Sequence, residues 1–185
     1  MVAECSFKLN GKPMSSLECK GFGPSAAFSG YGKYVNDPKA TFMENYGALP
    51  TGVYYIVTRP LGGRLGGVWE TLNDWKSWTK HADWFALYKD DGEIDDHTVI
   101  TGDYTIWVEP QPYDGGEIPG HYKTVKNPRR GSFRLHPEGL LGISEGCITL
   151  PDKTRFYQLR DFLLHQPAAV IPGTEIRYYG KVTVE

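Results

Sequence analysis

Hydrophobic and polar residues alternate weakly over Cys5-Ser6-Phe7-Lys8-Leu9, and Asn10-Gly11, a pair suited to a tight hairpin turn, follows directly. Residues 1 to about 36 therefore read as a small strand pair and then a winding loop through Gly21-Phe22-Gly23-Pro24 and Gly30-Tyr31-Gly32. After Pro50-Thr51-Gly52, the run Val53-Tyr54-Tyr55-Ile56-Val57-Thr58 is β-branched and aromatic throughout, which predicts a central strand ended by Arg59-Pro60-Leu61-Gly62-Gly63. Leu72, Trp75 and Thr79 fit a short helix over Thr71 to His81. Trp84 to Tyr88 and Tyr104 to Val108 read as further strands. Glu109 to Arg130 is rich in Pro, Gly and charge and reads as a long surface loop. Ser132 to His136 alternates like a strand, and a turn follows at Pro137-Glu138-Gly139. One amphipathic helix comes next: Asp152 caps its start, Phe156, Leu159, Phe162 and Leu163 share a face, and Pro167 lies past its end. Glu175 to Val184 forms the closing strand.

Composition sharpens this pattern. With 22 Gly, 13 Pro, 12 Tyr and 5 Trp, the chain suits many short strands joined by turns, so the fold class is mainly β with one or two short helices. At 185 residues it fits a single domain over 1–185, divided into an N-terminal extension (1–36) and a core (45–185). The formal net charge of -2 and the short basic run Lys126-Asn127-Pro128-Arg129-Arg130, read as a solvated loop, argue against nucleic-acid binding. No stretch approaches the ~20 apolar residues of a spanning helix, so no membrane insertion is expected. Met1 to Lys8 lacks the basic start and apolar centre of a secretory signal, so a substrate beyond a membrane would require another export route. Three Cys cannot all pair within one chain. A Cys5 to Cys19 disulfide is open in an oxidising compartment.

The candidate chemistry lies in Phe133-Arg-Leu-His136-Pro-Glu-Gly-Leu-Leu-Gly142-Ile-Ser144-Glu-Gly146-Cys147-Ile-Thr149-Leu150. A thiol attacks carbonyls as its thiolate, and a nearby imidazole is the usual activator. Two short strands separated by a turn can bring His136 beside Cys147 although they lie eleven positions apart. Such pairing is expected to raise the thiolate fraction of Cys147 at neutral pH. Gly146, lacking a Cβ, lets a substrate carbonyl approach the backbone N–H groups around Cys147, an oxyanion site. On chemical grounds alone, a small buried Cys and a structural His remain open readings. No metal or other cofactor is expected, since no second Cys or His lies at ligand spacing from Cys147.

In that order, His136, Gly142, Ser144, Gly146, Cys147 and Ile148 resemble the signature of the L,D-transpeptidase catalytic domain, and Pro50-Thr51-Gly52 resembles its Pro-x-Gly turn. Arg134-Leu135-His136-Pro137 together with Ser-x-Gly-Cys-x-Thr is closest to the type VI secretion L,D-transpeptidase effectors. The resemblance implies a β-rich sandwich or barrel. It also implies Cys147 as nucleophile, His136 as base, and a tetrapeptide stem of peptidoglycan as substrate, met in the periplasm of a rival bacterium. Ser144 would hold the imidazole or line the oxyanion site. Arg134 would grip a substrate carboxylate or pair with Glu138 or Glu145, and Thr149 would contact substrate. A secretion-machine component and a cognate immunity protein are the implied partners. Glu145 stands where housekeeping enzymes have His, and Thr149 where they have Arg, which leaves the acyl acceptor open.

Several rivals remain. A housekeeping enzyme would form cross-links, and a wall-binding module on the same fold would not need Cys147 and His136. Papain-like enzymes place Cys before His, whereas sortases keep His before Cys but need a later Arg, for which Arg177 is the candidate.

Overall fold

The computed structural model describes residues 1–58, 81–113, 115–139 and 144–185. The strand end at Arg59 to Gly63, residues 71–80 of the helix expected over 71–81, and Gly142 lie outside the described residues. The first strands are β1 (Ala3–Phe7), β2 (Ser15–Cys19), β3 (Gly23–Ala27), β4 (Gly52–Thr58) and β5 (Phe85–Lys89). Next come β6 (His97–Val99), β7 (Asp103–Val108), β8 (Gln111–Tyr113), β9 (Gly116–Ile118), β10 (His121–Lys126) and β11 (Arg129–Gly131). The chain closes with β12 (Arg134–Pro137), β13 (Ile148–Leu150), helix α1 (Lys153–Leu164), β14 (Ala169–Val170) and β15 (Arg177–Val184).

Nine strands form one sheet in the order β13-β12-β5-β4-β15-β1-β2-β3, with β14 on the side of β15. The two ends of that order meet: Phe28, just past β3, exchanges both backbone hydrogen bonds with Thr149 of β13, at 2.9 and 2.8 Å. The protein is thus mainly β, and its sheet is curled into a nearly closed barrel, a closure that removes exposed edges. Strand β4 explains its unbroken apolar run. Tyr54 and Ile56 face the main core, whereas Tyr55 and Val57 face a smaller cluster with Ala86 and Ile171 on the other side. The expected strand pair, β1 and β2, gains a third member, because Gly23 and Pro24 begin β3 instead of continuing a loop. β1 also runs parallel to β15, Ala3 opposite Gly180 through Phe7 opposite Val184, so the N-terminal segment belongs to the same sheet as β4 and β5. Cys5 and Cys19 stand opposite each other in this ladder and are joined as a disulfide.

Helix α1 covers one end of the core. The Asp152 carboxylate accepts from the Arg155 N–H at 2.9 Å, satisfying one of the N–H groups a helix start leaves without an internal partner. Phe156, Leu159 and Leu163 are buried, at roughly 1.5–3 kcal/mol each. Phe162 is half-buried and tilts against Phe22 at 5.3 Å.

The long loop expected over Glu109 to Arg130 is instead largely extended. β8 pairs with β9, β10 with β7 over six residues, and β11 with β6. Strands β9 and β10 expose both faces, so they carry no hydrophobic alternation to mark them. Backbone ladders to β8 and β7 hold these two strands without a buried face.

Candidate active site

Strands β12 and β13 run parallel, with Leu135 opposite Ile148 and His136 opposite Thr149. Because side chains alternate along a strand, Leu135, Ile148 and Leu150 enter the core while Arg134 and His136 turn to the other face. Cys147 immediately precedes β13 and joins them there. Together with Trp84, Arg130, Ser132 and Glu145 they line a cleft of about 720 Å³.

The imidazole of His136 is 6% exposed and held on several sides. Nδ1 lies 2.8 Å from the Pro137 carbonyl oxygen, which can only accept, so Nδ1 carries the proton and Nε2 is the basic nitrogen. The Thr149 hydroxyl sits 3.3 Å from Nε2. Trp84 stacks on the ring with centroids 4.3 Å apart and planes 21° apart, which fixes its plane.

Cys147 is 9% exposed and faces the carbonyl oxygen of Ser132 at 4.0 Å. Ser132 adopts a left-handed φ of 58°, a conformation that costs a non-Gly residue about 1 kcal/mol or more and needs support around it. Asp96 provides that support: its carbonyl accepts the Ser132 N–H at 2.8 Å and its carboxylate the Ser132 hydroxyl at 3.3 Å. The same carboxylate accepts both Nη groups of Arg134, at 2.6 and 3.0 Å. The Arg134 fork is therefore closed on Asp96, not on Glu138 or Glu145, with two parallel contacts that match a bidentate fit.

Two of the expected site residues lie inside the fold. Thr149 is fully buried, with its hydroxyl beside His136. Ser144 is also fully buried, and its hydroxyl donates to the Cys147 carbonyl at 2.7 Å, bracing the turn before β13 instead of the imidazole. Gly146 has a φ of +88°, which favours glycine. The basic run is corrected too: Arg129 is exposed, but Arg130 is 4% exposed.

The thiol also departs from expectation. Burial pushes Cys147 up to about 11, while the Arg134 N–H, the guanidinium of Arg134 and that of Arg130 pull it back and Glu145 opposes them. A raised thiol pKa means that the neutral S–H dominates at pH 7, so the unliganded protein holds little thiolate, and the base must take the proton as the sulfur attacks. We expect iodoacetamide to alkylate Cys147 slowly at neutral pH, with the rate still climbing above pH 9. A midpoint near the ordinary thiol value of about 8.5 would show that burial does not control this group.

Trp84, Asp96, Arg130 and Ser132 were not singled out by sequence pattern. Asp96 lies 38 positions from Arg134, and Arg130 up to 89 positions from its acceptors, so no local spacing marks either. Trp84 read as one residue of a strand, yet it stands just ahead of β5 and serves the imidazole.

A family model described as the Tlde1 domain matches residues 24–104 and 114–174, more than half of the chain, and spans Cys147 and His136. No curated protein and no solved structure matches.

Proposed function

The chain belongs to the Tlde1 domain family, type VI secretion effectors with L,D-transpeptidase activity, and from that membership we propose that it is a cysteine L,D-carboxypeptidase and D-amino acid exchange enzyme acting on tetrapeptide stems of peptidoglycan. Cys147 Sγ attacks the carbonyl at the L-centre of diaminopimelate while its proton passes to Nε2 of His136. Backbone N–H groups at Gly146 and Cys147 receive the developing oxyanion. His136 then returns the proton to the departing amine of D-Ala, the C–N bond breaks, and a thioester remains. Water releases the shortened stem, whereas a free D-amino acid exchanges for D-Ala. These two outcomes suit an effector, which gains most by spoiling donor stems. Arg134, neutralised in part by Asp96, adds positive charge to the cleft floor for a stem carboxylate.

The observation that carries this reading is the shared cleft, lined by an imidazole on β12 with Nε2 as its basic nitrogen and by Cys147 in the turn that leads into the adjoining β13. The Cys5–Cys19 disulfide adds support, since such bonds persist in oxidising compartments such as the periplasm. Incubation with purified muropeptides, followed by mass spectrometry, should show tetrapeptides losing D-Ala, and added D-amino acid should appear in its place. Untouched stems, or cleavage at another bond, would refute the assignment. In a Gram-negative host, the chain directed to the periplasm by a fused secretory signal should cause swelling or division defects, whereas cytoplasmic expression should be harmless. Toxicity from the cytoplasm would mean that the target is not the wall.

A further inference from the structure

Arg130 of β11 is a buried cation whose hydrogen bonds go to neutral oxygens. Its Nη1 donates to the carbonyls of Thr41 and Ala48, and its Nη2 to those of Gly47 at 3.1 Å and Glu145 at 3.3 Å. Its guanidinium carbon lies 5.4 Å from the Phe133 ring centroid. Among the described residues no carboxylate forms an ion pair with it, Glu44 acting only at longer range. A buried charge usually has an opposite partner, because carbonyl dipoles replace lost hydration only in part.

The geometry shows where that partner forms. The four acceptors belong to two segments, the stretch 41–48 and the turn that presents Cys147. Gly146 lets Nη2 press against this turn, since a Cβ there would lie 2.2 Å from it. Arg130 also lines the cleft beside Cys147. We infer that Arg130 is a positioning residue that locks the nucleophile turn in place, and that its unpaired charge is matched when negative charge develops at Cys147 during attack. The mutual coupling of Arg130 and Cys147, in which the guanidinium favours the thiolate, is consistent with this role.

This inference rests on Cys147 being the nucleophile, and its test is chosen to separate the two. The alkylation rate of Cys147 at about pH 8 tracks the thiolate fraction and requires no turnover of muropeptide. Arg130→Met should slow alkylation about tenfold or more, as expected for losing a nearby buried cation, and should lower kcat with KM little changed. Arg130→Lys keeps the charge but not the fork, so alkylation should stay within about threefold of wild type while kcat falls several-fold. Should the Met variant fail to fold, Arg130→Gln, which retains donors without charge, supplies the neutral comparison. A folded neutral variant that alkylates and turns over like wild type would overturn the inference. Alkylation that depends on Arg130 in a protein that leaves muropeptides untouched would instead count against the proposed reaction alone.

Discussion

Cys147→Ala is expected to abolish turnover of tetrapeptide muropeptides, by at least about 10⁴-fold, while the protein stays folded. The change removes one sulfur from a site at the edge of a cleft, so the lost packing is small beside the lost nucleophile. His136→Ala should cost nearly as much, because a neutral thiol held near pKa 11 cannot attack without a base to receive its proton. The double variant should be hardly slower than either single one, since residues acting as a unit are non-additive. Steady-state kinetics on one purified muropeptide, with circular dichroism to verify folding, provides the check. Additive losses would mean that thiol and imidazole do not act together, and full activity of Cys147→Ala would remove the thiol from the mechanism. In the periplasmic assay, the same substitution should turn a toxic chain into a harmless one.

Gly146→Ala is expected to destabilise the protein and to disturb the turn that carries Cys147. A Cβ there would stand 2.2 Å from Arg130 Nη2 and 3.1 Å from the Phe133 ring, on a backbone at φ +88°. The end of an arginine normally yields to such a clash, but this one is buried and tied to four carbonyls. Left-handed strain of about 1–2 kcal/mol and the loss of at least one charged hydrogen bond give roughly 3 kcal/mol of destabilisation. For a chain of this size that is a fall in Tm of roughly 6–12 °C, readable by calorimetry. Activity should fall as well, because the turn carrying Cys147 must move. A variant with wild-type Tm would show that Arg130 is mobile, weakening the argument for it as a lock.

The pattern along the chain determined what depends on near neighbours. Strand β4 is legible from its unbroken β-branched and aromatic run, the closing strand β15 from its β-forming residues, and the Asp152-capped helix because its apolar residues recur at the helical period. Cys147 and His136 were legible through the order of residues around them, an order that the family match spans. The ribbons between Glu109 and Arg130 were not legible, because strands exposed on both faces carry no such period.

Tertiary structure alone decided the site's surroundings. Closing the sheet through Phe28 and Thr149 buries the Thr149 side chain and sets its hydroxyl beside the imidazole. Curling of the chain brings Asp96 to Arg134 across 38 positions and Arg130 to Thr41 across 89, distances at which sequence spacing conveys nothing about contact. The state of the thiol belongs to this second group. A cysteine's type sets its ordinary pKa, but desolvation depends on every element packed around it, and here burial outweighs the nearby cations and keeps the proton on sulfur.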